Sequence, residues 1–124
     1  MNDFLFIFKW YFFGRLKVGR KPRKIKALSD FNNAIGNLKK GSLVIDAGAN
    51  VGEFTKIFLD RGFKVHAFEP DTIALEELKK KCEMSKQLKL HEVAVGLKNE
   101  FHKLYRYRKF DESNPYSTQG SSLL

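Results

Sequence analysis

Leu43-Val44-Ile45-Asp46-Ala47-Gly48-Ala49-Asn50-Val51-Gly52 joins an apolar, β-branched run to an acid and then to two glycines four residues apart. A helical pattern begins at Glu53. Strand, tight turn and helix in that order make the first crossover of a Rossmann-type sheet. Gly48 suits a positive φ and leaves bare backbone for a ligand to approach. Gly52 is expected to let the following helix pack close to its strand.

The turn narrows the ligand. A dinucleotide site wants G-x-G-x-x-G with a pyrophosphate at the helix N-terminus. Counted from Gly48, the second glycine position holds Asn50 and the third holds Glu53. An acid in the first helical turn suits the helix dipole but repels a phosphate placed there. No G-x-x-x-x-G-K-[ST] run exists, so a P-loop is excluded. S-adenosylmethionine fits better: it carries adenine and ribose without phosphate, and its sulfonium and ammonium are cationic. A nicotinamide-nucleotide enzyme is the weaker alternative.

A second acid follows at a suitable distance. Lys64-Val65-His66-Ala67-Phe68 reads as the next strand and ends on Glu69, 17 residues past Gly52. A Rossmann acid reaches the ribose hydroxyls at about 20 residues, and a carboxylate can accept from both hydroxyls at once.

At 124 residues there is room for one small domain, and a hydrophobic fraction of 43% is globular rather than disordered. The single cysteine, Cys82, excludes an internal disulfide and a CxxC metal motif; it reads as a small buried hydrophobe. Residues 1–26 hold eight Lys/Arg against one Asp, a net +7, while the remainder holds 15 against 13, a net +2. The basicity therefore belongs to a tail, which argues against a nucleic-acid groove over the whole domain. His66, His91 and His102 share no ligand spacing, and no metal site is expected from them.

Residues 1–24 read as an aromatic and basic N-terminal tail or helix, and residues 25–124 as a partial S-adenosylmethionine-binding, Rossmann-like domain. Phe4 to Phe13 is apolar except for Lys9. As a helix these residues span only ~15 Å, about half a bilayer core, so they are no transmembrane segment. With Arg15, Lys17, Arg20, Lys21, Arg23 and Lys24 behind them, two readings lead: peripheral contact with an anionic membrane surface by residues 4–24, or a helix packed on the core or on a partner; a nucleic-acid-binding tail is the third and weakest, since no recognition motif accompanies it. The expected location is cytoplasmic, with or without that membrane contact.

Ile25, Leu28, Phe31, Ile35 and Leu38 recur at helical spacing and predict a helix over one sheet face, ended by Lys39-Lys40-Gly41. After the glycine turn, Phe54, Ile57, Phe58 and Arg61 share a helix face that stops at Gly62. Pro70-Asp71-Thr72 opens another helix, with Asp71 or Thr72 as cap, a buried stripe of Leu75, Leu78 and Cys82, and i,i+4 pairs Glu76–Lys80 and Glu77–Lys81. Leu88 to Val95 predicts a third strand. Phe101 to Lys109 alternates and predicts an added strand with one aromatic face, and Ser121-Ser122-Leu123-Leu124 reads as a strand beginning.

Val44-Ile45-Asp46-Ala47-Gly48-Ala49-Asn50-Val51-Gly52, Ala67-Phe68-Glu69-Pro70, Val93-Ala94-Val95-Gly96 and Gly120-Ser121-Ser122-Leu123 together resemble the N-terminal half of an FkbM-family methyltransferase. That family belongs to class I of the S-adenosylmethionine-dependent enzymes. The resemblance, from about Gly41 to Leu124, implies an α/β, Rossmann-like class I methyltransferase fold. It also implies methyl transfer to a hydroxyl of a sugar, glycan or other small molecule. The Gly48 and Ala49 backbone would hold the methionine end of the cofactor, Asp46 would support the turn and the ammonium, and Glu69 would hold the ribose. Ala94-Val95-Gly96 would lie by the adenine. Asp46, Gly48, Ala49, Asn50, Gly52, Glu69, Pro70, Ala94 and Val95 are the candidate cofactor-binding residues; no residue is assigned as catalytic.

The chain departs from the family in reaching only strands 1, 2 and 3 plus the added strand, so an incomplete, N-terminal part of the fold is expected. The family's later acidic D-x-E-G block is absent. Strand 1 would then have an open edge of Leu43, Val44 and Ile45. Such an edge self-associates, recruits a partner chain or is covered, and the aromatic tail is one candidate cover. An inactive or split interaction module is the alternative to an enzyme.

Overall fold

The computed structural model describes residues 31–82, 85–106 and 113, together with the backbone pairing of residues 4–8 and 122–123. Its main sheet has four parallel strands in the order β1-β2-β3-β4: β1 Phe4–Phe8, β2 Leu43–Ala47, β3 Lys64–Phe68 and β4 Leu88–His91. Helix α1 covers residues 31–36, α2 runs Glu53–Asp60 and α3 runs Thr72–Cys82. A separate two-stranded antiparallel ribbon pairs β5, Leu104–Tyr105, with β6, Ser122–Leu123. This is an α/β fold with a parallel sheet and crossover helices, compatible with a Rossmann-like arrangement.

The register follows from strand alternation. Val44 pairs with Val65 and Val65 with Leu88; Asp46 pairs with Ala67 and Ala67 with Leu90. These residues share one face. Ile35 of α1, Phe58 of α2 and Leu78 and Cys82 of α3 pack with Val44, Val65 and Ala67 in a single buried cluster. Phe31 binds α1 to α2 through an edge-on contact with Phe54, 5.0 Å between ring centres. All three helices thus cover the same side of the sheet. Burying one Phe58-sized side chain contributes about 1.5–3 kcal/mol, so this cluster holds the layers together.

Several expectations hold. Ile35 is buried and Asn32 and Lys39 are exposed; Ile25 and Leu28 lie outside the described residues. Helix α2 ends in a Schellman motif: the Gly62 amide donates to the Leu59 carbonyl at 2.9 Å and the Phe63 amide to the Phe58 carbonyl at 3.1 Å. Gly62 sits at φ 79°, and Phe58 and Phe63 meet in the core. In α3, Ala74, Leu75, Leu78 and Cys82 are buried. Asp71 is the cap, its Oδ1 accepting from the Ile73 amide at 2.9 Å.

Other expectations are corrected. Residues 4–8 form a strand, not a helix, and pair in parallel with β2 from Phe4↔Leu43 to Phe8↔Ala47. An apolar run without a single helical stripe suits a parallel strand, where both faces are buried. The edge of β2 is thereby covered by the chain itself; residues 9–30 lie outside the described residues. On α2 the buried face carries Thr55 and Phe58, while Ile57 is 39% exposed. The ion pairs of α3 form at i,i+3, Glu76–Lys79 and Glu77–Lys80, and Lys79 also reaches Glu92 at 3.0 Å. Strand β4 stops at His91, short of Val95, and the strand expected over 101–109 is confined to Leu104–Tyr105 among the described residues. Residues 101–103 alternate in sequence but pair with no strand among the described residues, and Phe101 is fully exposed. Tyr107 and Lys109 lie outside the described residues.

Candidate functional site

Parallel pairing of β2 with β3 brings two strand tips side by side, with Ala47 opposite Phe68. Residues 48–52 turn above β2, and Glu69-Pro70-Asp71 bends above β3. Three residues of the turn adopt positive φ: Gly48 at 76°, Asn50 at 52° and Gly52 at 78°. Asparagine is one of the few side chains that tolerates this region. A Cβ on Gly48 would meet no heavy atom within 4 Å, so the backbone there is open to approach. A Cβ on Gly52 would lie 2.8 Å from Leu78 Cγ and 3.3 Å from Leu78 Cα. Gly52 therefore serves close contact with α3.

Each amide of the turn has a partner inside the chain. Gly48 and Ala49 both donate to the Phe68 carbonyl, at 2.9 and 3.0 Å, and Gly52 donates to the Ala49 carbonyl at 3.0 Å. The Asn50 amide donates to Glu69 Oε2 at 2.8 Å, and the Val51 amide to Asn50 Oδ1 at 2.8 Å. The Gly48 and Ala49 amides are thus engaged in joining β2 to β3.

The two acids divide in role. Asp46 is fully buried on the helix side of the sheet, and its Oδ2 accepts from the Thr55 hydroxyl of α2 at 2.6 Å. It ties the end of β2 to the first turn of α2. Glu69 is buried at the rim between the two bends. Its Oε1 accepts from the Asp71 amide at 2.8 Å while Oε2 holds Asn50. One carboxylate therefore bolts the glycine turn to the start of α3.

Asp71, 1% exposed, receives the Arg106 guanidinium in a fork: Nε to Oδ2 at 2.8 Å and Nη2 to Oδ1 at 3.2 Å. Burial pushes the Asp71 carboxyl up, but the Arg106 hydrogen bonds, the Ile73 and Ala74 amides and the guanidinium charge outweigh it and hold the group below its ordinary value. Sequence reading found Asp71 as a cap and missed both Thr55 and Arg106. The spacing of Thr55, nine after Asp46, was the one available signal; Arg106 lies 35 residues from its partner and gives none.

Beyond β4, Ala94 is half-buried and Val95 is 47% exposed, in a stretch that is not strand. His66 Nδ1 and His91 Nε2 lie 3.3 Å apart on neighbouring strands, and the His91 ring stacks on Phe68 at 4.2 Å. Burial, then the charges of His66 and Lys89, push His91 below its ordinary value. Among the described residues no group of three or more His, Cys, Asp or Glu is placed to hold a metal ion. Cys82 is buried and its thiol is pushed up by burial, as suits a packing residue.

No family model matches the chain, and comparison with curated proteins yields no match. Among the described residues no helix is long and apolar enough to cross a membrane.

Proposed function

We propose that the glycine turn and Glu69 form the cofactor side of an S-adenosylmethionine-dependent methyltransferase that acts on a hydroxyl of a sugar, glycan or other small molecule in the cytoplasm. One observation carries the reading: all five amides of residues 48–52 are engaged within the chain, while Glu69 closes on the turn and Glu53 follows it directly. A pyrophosphate needs amide donors and positive potential, and this turn supplies neither. A nucleoside without phosphate, carrying positive charge, needs acids and bare backbone. The same observation disfavours the nicotinamide-nucleotide alternative.

The residues present fit such a group. Accepting from two amides and two ribose hydroxyls stays within the roughly four hydrogen bonds a carboxylate can take. Gly48 leaves room for the methionine end to pass along the backbone. The cofactor brings a methyl group activated on sulfur, and the protein supplies aim and charge. Asp46 ties β2 to α2 through Thr55, and Pro70 and Asp71 form the bend that holds Glu69. Ala94 and Val95 would flank the adenine.

Isothermal titration of the chain with S-adenosylhomocysteine tests this. A saturable heat that disappears in Glu69→Ala, and is not competed by NADH, is the expected result. No heat, or the same heat in Glu69→Ala, would sink the reading. A second reading, a non-catalytic interaction module, draws on the exposed Leu97 and Phe101; methyl transfer to a panel of hydroxyl acceptors would remove it.

A further inference from the structure

We infer that Arg106 is a positioning residue: acting through Asp71, it fixes the Glu69 carboxylate in the orientation that selects a ribose carrying both hydroxyls. This rests on the nucleoside reading above and adds to it a residue far outside the glycine turn.

The contacts form one unbroken line. Arg106 forks onto both oxygens of Asp71 at 2.8 and 3.2 Å, the Asp71 amide donates to Glu69 Oε1 at 2.8 Å, and Glu69 Oε2 accepts from the Asn50 amide at 2.8 Å. Asp71 is 1% exposed, whereas the Arg106 side chain is 37% exposed. A carboxylate so deeply placed is costly without a cation. If the guanidinium is removed, the Ile73 amide still holds Oδ1, but the buried carboxylate loses its fork and its cation, and the Glu69-Pro70-Asp71 bend loosens with it. With the fork in place, Glu69 is already oriented before a ligand arrives, which reduces the ordering cost of binding. Arg106 follows β5, which pairs with β6, so the ribbon sets where the guanidinium sits. The fork matters as well as the charge, because a lysine offers a point charge in place of two parallel donors.

The experiment compares the unsubstituted chain with Arg106→Ala, Arg106→Lys and Asp71→Asn. Each is titrated with S-adenosylhomocysteine and with its 2′-deoxy counterpart. A hydrogen bond to a charged acceptor contributes enough for a preference of about tenfold or more for the ribose form. That preference is expected to fall to about threefold or less in Arg106→Ala and Asp71→Asn, with Arg106→Lys between. A merely structural role would weaken both ligands equally and leave their ratio unchanged, and that outcome overturns the inference. The second arm needs no ligand. Amide exchange at Asn50 and Asp71 is expected to quicken about tenfold or more in Arg106→Ala, while Val44 and Val65 keep their protection. Unchanged exchange at Asn50 and Asp71 also overturns it. If neither nucleoside binds the unsubstituted chain, the methyltransferase reading falls instead, and the exchange arm still decides whether Arg106 orders Glu69.

Discussion

The bends above β2 and β3 and the stretch that follows β4 are built on opposite terms. In the first, Asp46, Asn50, Glu69 and Asp71 are all buried and are joined to one another or to the helices by hydrogen bonds. In the second, Val93, Val95, Leu97 and Phe101 are 47% to 108% exposed. The proposed cofactor would touch Gly48, Ala49 and Glu69 in the first and Ala94 and Val95 in the second. The difference teaches that the two bends are held by their own hydrogen bonds before any ligand arrives, whereas the stretch after β4 draws no such support from the described residues. Buried polar groups that lose a partner are expensive, whereas exposed apolar ones cost little to change.

Substitution in the rigid region should therefore hurt most where there is no space to yield. Gly52→Ala combines a positive φ with contact under 3 Å to Leu78, and we expect a loss of about 3 kcal/mol in urea unfolding. Gly48→Ala, at a similar φ but in open space, should lose only about 1 kcal/mol. Equal losses would mean that contact with α3 does not govern the turn. Next, Thr55→Val removes the donor to Asp46 Oδ2 without changing shape and should cost about 2 kcal/mol.

Arg106→Met comes third, at about 1.5 kcal/mol near neutral pH, because half of its pair is exposed and screened. Its pH dependence has a definite sign. The Asp71 carboxyl lies below its ordinary value in the folded chain. Its stabilisation is therefore fully present above the unfolded value of about 3.9 and is lost as pH falls through the lower folded value. Urea unfolding at a series of acidic pH values should show the gap between Arg106→Met and the unsubstituted chain closing in that window. A gap that closes instead on raising the pH would rule out Asp71 as the partner that matters. The smallest effect is expected beyond β4: Leu97→Ser and Phe101→Ser should each shift stability by no more than ~0.5 kcal/mol. A larger loss would show that those side chains are covered in solution and would erase the contrast between the two regions.

How far the sequence reveals this depends on how local each cause is. The strand Leu43–Ala47, the positive φ of Gly48 and the stop at Gly62 were legible because β-branching and φ preference act within a few residues; the positive φ of Gly52 and Asn50 was not. The carboxylates Asp46 and Glu69 were legible because strand ends announce themselves. The contacts that set register were not. His66 meets His91 across 25 residues, and Asp71 meets Arg106 across 35, and no spacing rule connects them. Alternation misled at Phe101–Lys103, since a period of two has meaning only beside another strand. At the other end, Phe4–Phe8 read as a helix until β2 supplied that neighbour.

Cys82, the chain's single cysteine, closes α3 and lies 4% exposed against the core. It therefore acts as a built-in clock. A thiol reagent reaches it only when the end of α3 lifts from the sheet, so its labelling rate reports how often that end opens. Every variant above can be timed that way without attaching a dye.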